Sequence, residues 1–177
     1  VFKIRHNVYC EELAFEPVRE NGLEVDEFDA FSMHCLIQHV SSQNYAGTVR
    51  IVRPIEQHQK LPIEKFCLNS ITNNELNPAN FAREDVCEVS RLAVPKAFRR
   101  RQMDNHDGAA VGIINQNSYS ETELRCFPFI AVGLYFAAAG MALEQNIKHF
   151  TIHTNYLRNC MFIKYFIRYF SYFVQEF

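Results

Sequence analysis

At 177 residues, the chain is expected to fold as one domain over residues 1–177, long enough to bury a substantial core. Apolar residues make up 48% and charged residues 21%, which excludes a disordered chain. The formal net charge of −2 lacks the basic footprint of a nucleic-acid binder, so no nucleic-acid partner is expected. Sixteen Phe and no Trp suit an ordinary core as well as one that also admits a long apolar ligand.

Ile4, Val8, Leu13 and Phe15 alternate with Arg5 and Glu11-Glu12 as in a helix followed by a loop. The opening residues do not read as a signal peptide. Gly22 to Asp29 is acidic and turn-like. Met33–Val40 and Tyr45–Val52, joined by Ser41-Ser-Gln-Asn44, read as an antiparallel hairpin. Pro54 ends the second strand by removing a ladder donor. Residues 61–83 suit short helical pieces. Val86–Val94 reads as a strand stopped by Pro95, and the polar stretch 102–126 as a long loop.

Pro128 opens a helix to about Gln145 that is apolar all round, with Asn146 as its stop. The apolar run Phe127–Leu143 is short for a membrane span, so no integral membrane segment is expected. Lys148–Thr154 reads as a strand. Asn155 then caps a last helix from Tyr156 to about Tyr172. The order predicts an α/β fold with a mixed, largely antiparallel sheet and room for one parallel crossover near the end.

Cys10, Cys35, Cys67, Cys87, Cys126 and Cys160 include no C-x-x-C pair. No zinc site and no disulfide framework follow; reduced, buried thiols in a cytoplasmic protein are expected, with a nucleophilic cysteine as the less favoured alternative. The sharper signal is charge. Glu24-Val-Asp26-Glu-Phe-Asp29 is an acidic loop without the pattern of an EF-hand. Arg50 follows Gly47-Thr-Val in an apolar strand. Glu88-Val-Ser-Arg91 lies inside another. Buried charges must pair, so Arg5, Asp26, Asp29, Arg50, Glu88 and Arg91 form either a plain ion-pair network or a functional site.

Arg5-x-x-Val8-Tyr9, Glu24-x-Asp26-x-x-Asp29, Gly47-x-x-Arg50, Phe66 and Glu88-x-x-Arg91 together resemble, in order and spacing, the acyl-homoserine-lactone synthases. A closer resemblance is to the PEP-CTERM/exosortase system-associated acyltransferases of that group. It rests on Val8-Tyr-Cys-Glu-Glu-Leu-Ala-Phe15, Ser32-Met-His34, Ser90-Arg-Leu-Ala-Val94 leading into Phe98-Arg-Arg-Arg101, and Phe127-Pro128 with Gly133-Leu-Tyr135. Two features depart from the pattern: the lactone synthases carry a tryptophan after the first motif, and the glycine-rich pyrophosphate loop of typical GNAT enzymes is missing.

The resemblance implies a GNAT (acyl-CoA N-acyltransferase) fold, a mixed central sheet flanked by helices. It implies transfer of a fatty acyl group from an acyl-carrier-protein or acyl-CoA thioester to the amine of an amino acid or related small molecule, with no tightly bound cofactor and no metal. Glu88 is the expected base, with His34 and His153 as alternatives. Arg5, Glu24, Asp26, Asp29, Arg50 and Arg91 are the expected acceptor-binding residues. Arg99, Arg100, Arg101, Phe127, Phe129, Leu134 and Phe150 are expected at the acyl donor. The alternatives are a homoserine-lactone synthase using S-adenosylmethionine, a non-catalytic acyl-binding module, and a purely structural domain.

Overall fold

A computed structural model describes residues 1–67, 71, 74–99, 126, 129–152 and 161–163, and its strands are those expected from apolar, β-branched sequence together with Met161–Ile163, expected as helix. They are β1 (Ser32–Gln38), β2 (Tyr45–Val52), β3 (Val86–Ala93), β4 (His149–Ile152) and β5 (Met161–Ile163). They lie side by side in that order in one sheet. β3 and β4 run parallel, with Val86, Cys87, Glu88 and Val89 opposite His149, Phe150, Thr151 and Ile152. β4 and β5 are antiparallel. The sheet is therefore mixed, as the element order predicts. The parallel pair is the crossover expected near the chain end.

Among the described residues, the strands are accompanied by α1 (Phe2–His6), α2 (Pro62–Phe66) and α3 (Ile130–Glu144). The first helix is shorter than its apolar spacing suggests. It continues as a π-helical segment, Asn7–Glu12, and ends near Ala14, whose φ is +51°. The acidic turn contains a short 3-10 helix, Glu27–Phe31, capped by Asp26. Proline sits at the first turn of α2, where its missing N–H costs nothing.

In α3, Leu134, Ala138 and Ala142 recur every four residues and are buried, the stripe that one helix face presents to a core. Asn146 ends this helix as the sequence suggests. Its φ is +57°, and Ile147 N–H bonds Ala142 C=O while Asn146 N–H bonds Leu143 C=O, both at 2.9 Å. These two bonds satisfy carbonyls that the helix end otherwise leaves open.

One expectation is overturned. The last helix, placed over Tyr156 to Tyr172, does not form throughout, because Met161–Ile163 is a strand paired with β4. Met-Phe-Ile is a short apolar run, which periodicity cannot assign to helix or strand; the open edge of β4 decides for strand. The long loop of residues 102–126 lies outside the described residues except for Cys126, which is helical.

By internal contacts the chain divides into two units. The first comprises Val1–Val25, Cys35–Thr48 and Leu92–Tyr135; the second comprises Asp26–His34, Val49–Arg91 and Phe136–Phe177. In the first, Val8, Tyr9 and Ala93 pack with Ile4 and Leu13, and the Tyr9 hydroxyl donates to the Leu92 carbonyl at 2.7 Å. In the second, Phe28, Val52, Leu61, Ile63 and Val86 form the core.

Candidate active site

The second unit gathers most of the charged residues that sequence singled out. Asp26 and Asp29 cap the 3-10 helix reciprocally. Phe28 N–H donates to Asp26 Oδ1 at 3.0 Å, and Asp26 N–H donates to Asp29 Oδ2 at 2.8 Å. Such a cap fixes both carboxylates independently of any ion pair. Arg50 then reaches them from β2, its Nη1 lying 2.5 Å from Asp26 Oδ1 and 2.9 Å from Asp29 Oδ1. Its Nε donates to Ser90 Oγ at 3.2 Å, and its guanidinium lies over the Phe28 ring at 5.9 Å. Arg50 is 2% exposed, so its charge depends on these partners.

Arg91 joins the cluster through Asp26 Oδ2 at 3.3 Å. Strand alternation puts Glu88 and Ser90 on one face and would put Arg91 on the other. Arg91 instead has a φ of +52°, a left-handed conformation that costs a non-glycine residue roughly 1–2 kcal/mol. This break in alternation lets Ser90 and Arg91 contribute to one cluster. It interrupts β3 in the manner of a bulge.

Glu88 stands apart from the ion pairs. It is fully buried. Its Oε2 accepts the Ile63 N–H of α2 at 2.8 Å, while its Oε1 has no hydrogen-bond partner among the described residues. Burial pushes its pKa up to about 7, against the lowering effects of the Ile63 N–H, Arg50 and Arg91, and Glu64 pushes it further up. A carboxyl that titrates near neutrality is suited to accept a proton at physiological pH. Its hydrogen-bond partner is a backbone amide, whereas sequence left open a place in an ion-pair network or the role of base.

Arg5 and Glu24, in the first unit, form a fully buried ion pair through Arg5 Nε and Glu24 Oε2. The Arg99 guanidinium is held by Glu12, which also accepts the Lys96 N–H at 3.0 and 3.1 Å. Leu134 is buried, Phe150 is buried, and Phe129 is exposed; Phe150 stands opposite Cys87 in β3 and Ile163 in β5. Arg100, Arg101, Phe127 and His153 lie outside the described residues. His34 Nε2 is 3.7 Å from Asp29 Oδ1. Among the described residues, no group of three or more His, Cys, Asp or Glu could hold a metal.

Residue-level reading missed four residues around Glu88 and its strand. Ile63 acts through its backbone, which side-chain chemistry does not reveal. Thr151, directly opposite Glu88, was legible only once the β3–β4 register was known. The Glu64–Arg83 pair left a partial signal: Pro62 followed two residues later by Glu64 is the pattern of a capped helix start.

Residues 4–106, more than half of the chain, match the family described as Acetyltransferase (GNAT) domain, and the chain belongs to that family. No curated protein matches it. Among solved structures it is similar to TofI in a ternary complex with an inhibitor and MTA, at 14% identity and a TM-score of 0.54, over 85% of this chain and 61% of that one. It is also similar to the AHL synthase LasI, at 18% identity and a TM-score of 0.49, over 85% and 61%. The TofI likeness is one of fold. The chain spans about 61% of the length of the solved structures it matches. No helix among the described residues is long and apolar enough to cross a membrane.

Proposed function

We propose that this chain is an N-acyltransferase that moves a fatty acyl group from a thioester of acyl carrier protein or coenzyme A to the amine of an amino acid or a related small molecule. The observation that carries the reading is Glu88: a buried carboxyl with one oxygen anchored and the other without a protein partner among the described residues, titrating near pH 7. An α-amine is mostly protonated at neutral pH and must lose a proton to attack. In this reading Glu88 accepts that proton. The amine nitrogen bonds to the thioester carbonyl carbon, the C–S bond breaks, and the sulfur leaves as a thiol once protonated.

The roles of the neighbours follow from charge. Asp26 and Asp29 offer negative charge to a cationic acceptor, and Arg50 and Arg91 offer a fork for an acceptor carboxylate. Arg50 already engages two carboxylates and a hydroxyl through its Nη1 and Nε. Arg5 and Glu24 pair with one another and act in this reading by shaping the first unit. Leu134, Phe150 and the exposed Phe129 remain candidates for the acyl tail. The missing tryptophan favours an amino-acid acceptor over S-adenosylmethionine.

The test is thiol release from acyl-carrier-protein and acyl-CoA donors across a panel of amino acids and S-adenosylmethionine, with mass spectrometry of the products. An N-acyl amino acid supports the proposal. A lactone product would move the chain to the homoserine-lactone synthases, and binding of donor without thiol release would make it an acyl-binding module.

A further inference from the structure

Glu64 and Arg83, which take no step in the proposed reaction, form an ion pair in the second unit. Arg83 meets Glu64 in a two-pronged contact, Nη1 to Oε2 and Nη2 to Oε1, both at 2.9 Å. Glu64 is buried. Its Oε2 also accepts the N–H of Leu61 at 2.8 Å, the residue that precedes α2. Between those two anchors sits Ile63, whose N–H is the hydrogen bond on Glu88. Arg83 belongs to a short 3-10 turn, Arg83–Asp85, that leads directly into β3, the strand of Glu88. One ion pair therefore ties the turn that donates to Glu88 to the segment that carries it.

We propose that Glu64 and Arg83 are positioning residues for Glu88: their ion pair fixes the Ile63 N–H on one oxygen of the carboxyl and holds a compensated negative charge beside it. The inference rests on the acyl-transfer reading for its catalytic meaning, though its geometry does not.

The groups that face Glu88 define what each change does. Arg50 comes from β2, Arg91 from β3 and Glu64 from α2, and of these only Glu64 disfavours the anion. From β4, Thr151 stands opposite Glu88 and His149 two residues earlier, the latter stacked on Phe81 at 4.1 Å. Glu64→Gln keeps an oxygen for the Leu61 N–H and for Arg83 while removing the charge. Arg83→Gln leaves the Glu64 charge in place without its counterion. The two variants therefore act on Glu88 in opposite directions.

The experiment titrates the Glu88 carboxyl by carbon NMR of glutamate-labelled full chain, without substrate, and assigns the signal by its loss in Glu88→Gln. Glu64→Gln is expected to lower the Glu88 midpoint by roughly half a unit and Arg83→Gln to raise it by a similar amount. In an active preparation the acid limb of the pH–rate profile moves with it. A midpoint that stays put in both variants, with the fold retained in their amide spectra, overturns the proposal. Because the titration needs no acyl donor, it stands or falls separately from the proposed activity: a chain that transfers no acyl group still reports whether this pair sets the state of Glu88.

Discussion

Glu88 and Thr151 stand opposite one another in the parallel β3–β4 register, and each buries a side-chain oxygen that has no hydrogen-bond partner among the described residues. Leaving such groups unsatisfied costs about 1–3 kcal/mol each, and a fold keeps that cost where the groups have work to do. Glu88→Gln is therefore expected to retain the fold and lose most acyl transfer, while Thr151→Val, nearly the same shape, is expected to leave stability unchanged or raise it by up to about 1 kcal/mol. Chemical denaturation checks the stabilities and thiol release checks the turnover. Full turnover in Glu88→Gln with a verified acceptor removes Glu88 as the base.

The raised pKa of Glu88 makes a prediction about stability against pH. In the unfolded chain the carboxyl titrates near its ordinary value; in the folded chain it holds its proton up to about pH 7. Between those values the folded state binds more protons, so stability falls as pH rises through this window. The loss at pH 8, relative to an unperturbed carboxyl, is about 3 kcal/mol. Glu88→Gln removes the titration, and its unfolding free energy is expected to exceed that of the parent at pH 8 and to approach it at pH 5. Activity has the opposite dependence, rising with an acid limb near pH 7. Denaturant melts at the two pH values test the first statement, and a pH–rate profile tests the second.

Arg50 offers a contrast. Its guanidinium neutralises Asp26 and Asp29 together, and both carboxylates are fixed by the cap they form. Arg50→Met leaves two close carboxylates without their main counterion. Removing one partner of a buried pair typically costs about 3–5 kcal/mol, and a loss of that size in denaturant unfolding is expected. Asp29→Asn in the same background relieves part of the repulsion and is expected to recover part of the stability, since contacting residues do not add independently.

Sequence reading located the strands well where apolar runs were bounded by turn residues or proline, as in Tyr45–Val52, which forms over the residues expected. It also placed Asp26, Asp29, Arg50 and Arg91 in one group, because charges in apolar strands must find partners. It read Glu88 as the base but missed its anchor on the backbone. A backbone amide has no side-chain signature, so the Ile63 N–H could not be foreseen from residue types. The left-handed Arg91 was equally hidden: nothing in Val-Ser-Arg-Leu departs from strand composition, and only the packed structure reveals the break. The end of the chain failed for a different reason, since Met161–Ile163 is too short for either period to declare itself.

Gly47, three residues before Arg50, has a testable structural meaning. A Cβ built there meets Leu134 Cδ1 at 2.9 Å, the Ala93 carbonyl oxygen at 3.1 Å and Val94 Cγ2 at 3.3 Å. The first contact is with a side chain, but Leu134 is fully buried and cannot turn aside without disturbing its core. The second is with backbone at the end of β3. Overpacking of this kind costs about 1–3 kcal/mol, and Gly47→Ala is expected to lose stability in that range. Pairing it with Leu134→Val makes room at the first contact and leaves the second. If the side chain dominates, the double variant is more stable than Gly47→Ala alone; if the Ala93 carbonyl dominates, the two losses add. Denaturant unfolding of the three variants separates these outcomes, and stability equal to the parent in Gly47→Ala would show that the end of β3 yields freely to the added methyl group.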